Sequence, residues 1–241
     1  MAWAELTGQR AVGKNDTEGA SFDLAYPGDV TAGSLICIGG GVWDTEGLVT
    51  LVDVTKQSGS AILDTITNNT SPAVSSSPGA TNAYLSWARV IQSGSLIVRA
   101  TPDSSSYINI AVTEFTGGDS SPLDVNGGGM KDEVANTTFL DTITTLTPND
   151  LIVGVVVLQH IGGVPVTVGS GYIQIAEDET FTSSIFNMEY RIVTTPTTYD
   201  VNWSTSNTGC GYTIVNAAFK EAVAAGPAPI PARRLQSAMR W

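Results

Sequence analysis

Residues 95–115, SLIVRATPDSSSYINIAVTEF, return later in the chain as residues 199–219, YDVNWSTSNTGCGYTIVNAAF. In each stretch an alternating run leads into a polar Ser/Thr/Asn turn, and a second apolar run ends on an aromatic, Phe115 or Phe219. Alternation with a period of two marks a strand with one buried face. The echo continues upstream: residues 84–91 match 186–193, which sets Arg89 against Arg191, and residues 34–38 match 150–154. These echoes predict an all-β, antiparallel β-sandwich with an internal pseudo-duplication and little helix. The pseudo-repeats run over about 22–117 and 139–221, within a body of residues 1–221. Two copies are too few for a solenoid. The expected arrangement is one domain of two similar β-layers, each supplying the other's missing hydrophobic face.

The rest of the body reads as strand after strand, with turns rich in Gly, Pro, Asn, Asp and Ser about every ten residues. Gly117–Val134 is predicted to be a loop-rich crossing between the halves, and Asn68–Asn82 a long surface loop. The triplets Gly39–Gly41 and Gly127–Gly129 lack the Lys and Ser/Thr of a phosphate loop and open no helix. They are expected to mark bulges or tight turns.

The 241 residues carry a net charge of -12, unevenly placed. Residues 1–221 hold 8 Lys/Arg against 23 Asp/Glu, a net of -15, whereas residues 222–241 carry +3. Nucleic acid is an unsuitable partner for that body, because binding it requires Lys and Arg to neutralise phosphates. The most apolar run, Leu151–Val168, is broken by Gln159, His160, two glycines and Pro165. It reads as strand, turn and strand, not as a membrane span. The opening MAWAELTGQR has no apolar core of a signal peptide, so assembly in a cytoplasm is expected. Cys37 and Cys210 make no disulfide framework, and whether they pair is open at this level.

Candidates for chemistry are few. His160 is the single histidine, and no G-x-S-x-G elbow accompanies it. One His and two distant Cys do not make a zinc set. Carboxylates in turns, Asp44 with Glu46 and Glu177-Asp178-Glu179, have the oxygen chemistry of a calcium or glycosidase site. With Trp43 they form a candidate surface-loop ligand site. Trp87 and Trp203 fall in the echoed strands and are assigned to the core. Beyond the body, AVAAGPAPIPA (222–232) is a stiff Pro/Ala linker. It leads to a basic C-terminal arm in which Arg233, Arg234, Leu235, Met239, Arg240 and Trp241 are candidate partner-docking residues.

The segment PGDVTAGSLICIGGGVW (27–43), answered by GSLIVRATPDSSSYINIAVTEFTGG (94–118), resembles the jelly-roll β-sandwich modules among structural proteins of tailed bacteriophages. The matching residues are Gly33, Leu35 and Ile36, then Ile110, Val112, Glu114, Phe115 and Gly117. Residues 149–153 and 214–219 repeat the scheme. The resemblance covers about 20–221 and not the arm. It implies a non-enzymatic virion protein without cofactor, of the capsid decoration (cement) type, docked on the major capsid protein or another virion protein. It further implies a homo-oligomer, expected to be a trimer, and location in the virion after assembly in the host cytoplasm. The alternative expectations are a receptor- or carbohydrate-binding module of a tail or head fibre, and then a glycan hydrolase.

Overall fold

The computed structural model describes residues 2–6, 8–15, 17–44, 49–70, 74–75, 80–134, 137–159, 165–178, 184–206 and 210–223, excepting the side chains of 74, 75, 80, 130–134 and 210. The first half contains β1 (Ala4–Glu5), β2 (Ala11–Lys14), β3 (Phe22–Ala25), β4 (Leu35–Asp44), β5 (Val52–Ser58), β6 (Ile62–Leu63), β7 (Thr67–Thr70), β8 (Val74–Ser75), β9 (Ala80–Gln92), β10 (Ile97–Pro102) and β11 (Tyr107–Thr116). The second contains β12 (Gly118–Val134), β13 (Thr138–Thr144), β14 (Asp150–Gln159), β15 (Thr167–Val168), β16 (Ile173–Asp178), β17 (Ser184–Val193), β18 (Thr198–Ser204) and β19 (Cys210–Glu221).

The duplication is complete at the level of pairing. In the first half β11, β4 and β9 form the centre of a large sheet, with β1 and β2 on one flank and β6, β7 and β8 on the other. A small sheet, β3-β10-β5, covers one face. In the second half the large sheet is β12-β19-β14-β17-β16 and the small one β13-β18-β15. Every ladder is antiparallel.

The all-β sandwich expectation holds, and the layer count exceeds it. Each half is a sandwich in its own right, and the two large sheets then pack on each other. Among the described residues, four layers enclose three cores. Alternation along one strand explains how. Ile36, Ile38 and Val42 of β4 face the small sheet of their own half, while Leu35 and Cys37 face the other half. In β14, Ile152, Val156 and Leu158 point to the small sheet, and Leu151, Val153, Val155 and Val157 to the middle. Strands covered on both faces read as continuous apolar runs, as LICIGGGV and LIVGVVVL do.

The register fixes which residues correspond. Leu35 lies opposite Phe115 and Arg89, and Leu151 opposite Phe219 and Ile192. Phe115 and Phe219 are therefore equivalent, as the echo predicts. The counterpart of Arg89 is Ile192, not Arg191, and the counterpart of Trp87 is Tyr190. A slip of one residue moves a whole strand to its other face, so the match of 84–91 to 186–193 was off by one. The corrected register reveals a pseudo-twofold axis. Trp87 meets Phe219 at 5.4 Å and 71°, and the related pair, Tyr190 with Phe115, meets at 5.1 Å and 69°. The axis runs along the strands, because Gly39 lies against Val155 and Gly41 against Val157.

The Gly39–Gly41 triplet makes no bulge, for its ladders to β9 and β11 are unbroken. A Cβ on Gly39 would sit 2.7 Å from Val155 Cγ2 and 2.8 Å from Met188 Sδ, and one on Gly41 would collide with Val157. Close approach of the second half is the requirement. On the opposite face, Tyr84 Oη passes over Gly40 to donate to Asn109 O at 2.7 Å. Gly117–Val134 proves to be mostly strand: β12 pairs with β19, irregular near Leu123 and near Val134 but in step from Val125 to Lys131. Within the expected loop 68–82, Asn68–Thr70 belong to β7 and Ala80–Asn82 to β9. The Asn68 amide and Thr70 hydroxyl reach the backbone N–H and C=O of Val54 and Val52 at 3.3–3.5 Å. Side chains thus stand in for a neighbouring strand along the free edge of β5.

Candidate functional site

The described surface-loop candidates lie at the ends of two strands. Trp43 and Asp44 end β4, in the large sheet of the first half, while Glu177 and Asp178 end β16, at the edge of the other large sheet. Trp43 is half-buried, with its ring tilted on Tyr107 at 5.1 Å. Asp44 is only 2% exposed. Glu177 is anchored on both oxygens, accepting from Val166 N at 2.8 Å and Gln174 Nε2 at 2.6 Å. Asp178 pairs with Lys14 Nζ at 3.3 Å, across the halves. Glu46, Glu179, His160 and the docking residues Arg233, Arg234, Leu235, Met239, Arg240 and Trp241 lie outside the described residues. Among the described residues, no three His, Cys, Asp or Glu gather as a metal set. Cys37 is a buried free thiol held protonated by desolvation, and the Cys210 side chain lies outside the description. Trp87 and Trp203 are core residues, as expected.

The pseudo-twofold axis creates two seams where the large sheets meet at their flanks, and the seams differ. At the first, Arg10, just before β2, grips Glu5 with two hydrogen bonds of 2.6 and 2.7 Å. Its remaining nitrogen donates to Gln174 O at 2.7 Å and Ile175 O at 3.2 Å in β16. A charge-assisted fork closes that seam. At the second, Asn69 Nδ2 donates to Gly127 O at 3.3 Å, and below this contact the seam is open. There a cleft of about 350 Å³ is lined by Asp64, Thr67, Trp87, Arg89, Ser121 and Leu123 among others.

Strand positions explain who lines the cleft. Arg89 lies two residues beyond Trp87 on the same face of β9, so an inward-facing strand position delivers a guanidinium to the seam. Its Nε is out of solvent and donates to no acceptor among the described residues. Asp64 Oδ1 accepts the backbone N–H of Arg89 at 3.3 Å. Asp119 Oδ1 accepts Ser121 N at 2.8 Å, which sets the turn on the far wall and holds that carboxyl below its ordinary range. Leu123 occupies the place that Glu5 holds at the closed seam, since each lies opposite the equivalent phenylalanine. The open seam thus offers an arginine, hydroxyls and an apolar wall.

Two acids with raised pKa values lie elsewhere. Glu189 is fully buried beneath the small sheet of the second half, and desolvation pushes it up to about 8 against the pull of the Gly169 N–H at 3.2 Å. It is protonated at neutral pH. Asp150 opens β14, out of solvent, with Thr147 Oγ1 donating at 2.7 Å. Burial raises it first, and the neighbouring Asp124 adds to the shift. Both are held by the framework, and neither lines the cleft.

Comparison of the chain with protein-family models, curated proteins and solved structures finds no match. Asp64 and Ser121 carry no signal in the sequence, and Arg89 enters there only as part of the echo, as a packing residue. One signal pointed to Arg89: a charge in the alternating set Leu85, Trp87, Arg89, whose other members face the core.

Proposed function

We propose that this chain is a non-enzymatic virion structural protein, a capsid decoration (cement) module acting as a homo-oligomer, with a trimer expected. Its double sandwich is the rigid outward body, and residues 227–241 dock on the major capsid protein or another virion protein. The observation that carries this reading is where the arm begins. Strand β19 ends at Glu221, and Ala222 N still donates to Gly117 O at 2.7 Å. The arm therefore starts at one pole, the end of the strands where Leu35 and Asp150 also lie. A body of net -15 followed by a segment of +3 favours an oriented attachment, with the acidic bulk turned to solvent. The four-layer body, with three buried cores among the described residues, supplies a firm support. Deleting residues 227–241 and measuring occupancy on particles tests the reading. Loss of the protein from particles is expected, and unchanged occupancy rejects the docking arm.

A receptor- or carbohydrate-binding module is the second reading. It is favoured by the Trp43–Tyr107 ring pair at the pole opposite the arm, since paired aromatic faces suit sugar rings. It expects hits on a glycan array and weaker adsorption for Trp43→Ala. No hits together with intact adsorption reject it.

A further inference from the structure

The closed seam indicates what the open one is built to hold. At the closed seam an arginine satisfies its donors on backbone carbonyls of an extended segment, Gln174 and Ile175. At the open seam Arg89 has a buried Nε with no acceptor among the described residues, and a buried donor left unpaired is costly. The complementary ligand is an extended chain rich in carbonyls, one side of it apolar enough for the wall of Trp87, Pro122 and Leu123. Residues 226–232, Gly-Pro-Ala-Pro-Ile-Pro-Ala, have that chemistry. Proline carries a carbonyl and no N–H, and proline-rich segments settle on aromatic-lined grooves in an already extended form.

We propose that the open seam is the seat of the chain's own Pro tract, residues 226–232, which straps the root of the arm to the body and aims residues 235–241 outward. Geometry permits it within one molecule. The last described residue, Val223, follows Glu221, which pairs with Gly118, only two residues before Ser120 on the cleft wall. Residues 224 and 225 lead from there to the tract, a reach of about 9 Å, and the seven residues of the tract extend about 22 Å further. Charge agrees as well. The seat would hold Arg233 and Arg234, directly after the tract, on a body of net -15 whose cleft carries Asp64. The inference does not depend on the virion reading, which it would narrow to docking by residues 233–241, and its test needs no particle.

Limited digestion of the full-length protein with trypsin, read by mass spectrometry, follows cleavage after Arg233 and Arg234. The seat predicts slow cleavage in the wild type and roughly tenfold faster cleavage in Arg89→Ala, the effect expected of one lost charge-assisted hydrogen bond. Arg89→Lys, which keeps the charge and loses the fork, should lie between them. Because Arg89 is partly buried, Ser121→Trp gives an independent arm: it fills the cleft from its exposed rim and should accelerate cleavage equally, with the melting temperature unchanged. Wild-type protection should be independent of protein concentration. Equal rates in the wild type and Ser121→Trp overturn the seat. Protection that fades on dilution overturns the intramolecular version and assigns the cleft to the arm of a second copy.

Discussion

The inward faces of the two large sheets occupy the same positions in matching folds, yet at four of those positions they differ in volume in the same sense. The first half presents Gly39, Gly41, Ala83 and Ala111, where the second presents Val155, Val157, Phe186 and Val215. Other positions keep their character, with Leu35, Leu85, Trp87 and Phe115 answered by Leu151, Met188, Tyr190 and Phe219. Protein interiors are packed to crystal density, so the small face and the large face fit each other and neither fits its own copy. Two small faces would leave voids, and two large ones would collide. The internal symmetry is thus one of backbone, and the side chains make the pairing specific.

Exchanging residues between equivalent positions is the direct way to break that relation. The largest effect is expected for Phe186→Ala, which copies Ala83 into the second half. It should lower stability by about 4 kcal/mol in urea unfolding, as large-to-small core changes do. Gly41→Val, which copies Val157, should cost about 3 kcal/mol by overpacking. Adding Val157→Ala should return 1 kcal/mol or more, roughly the coupling of residues in contact, and strict additivity would refute the fit of the two faces.

A third exchange concerns pH. The position of Glu189 is held in the first half by Ser86, whose Oγ donates to Asn68 Oδ1 at 2.6 Å. Glu189 has a folded pKa of about 8, above the roughly 4.3 of an unfolded glutamate. Its stabilising contribution is therefore complete at acid pH below the unfolded value, declines as pH rises through 8, and is flat beyond. Melting temperatures across pH 4–9 should fall less steeply in Glu189→Ser than in the wild type, with Asp150 supplying the residual slope. The smallest effect is expected at the pole. Trp43→Gln, which copies Gln159, removes a half-exposed ring pair and should cost less than about 1 kcal/mol.

The echo made the pairing plan legible before any coordinates, because β11 and β19 carry their aromatics at the same register. What escaped was stacking order. Continuous apolar runs in β4 and β14 state that both faces are covered, and they do not state by what. Strand β12 escaped for another reason: GGDSSPLDVNGGGMKDEV has turn composition, and the backbone of β19 makes it a strand. Tertiary pairing overrides local propensity in that manner. The slip between β9 and β17 arose because both carry an arginine near the end, Arg89 facing the seam and Arg191 lying over Tyr172 and Tyr199 on the opposite face. Of the cleft, only the charge at Arg89 was visible in the sequence, since the other walls come from segments far apart in the chain.

The pseudo-twofold contact between the large sheets has a consequence for dilution. When two separate chains meet through such a face, the folded fraction depends on how much protein is present. Here both partners lie on one chain, and a short connection keeps each at an effective concentration of the order of millimolar toward the other. A single molecule therefore holds its paired state at any abundance, from the first copy synthesised onward.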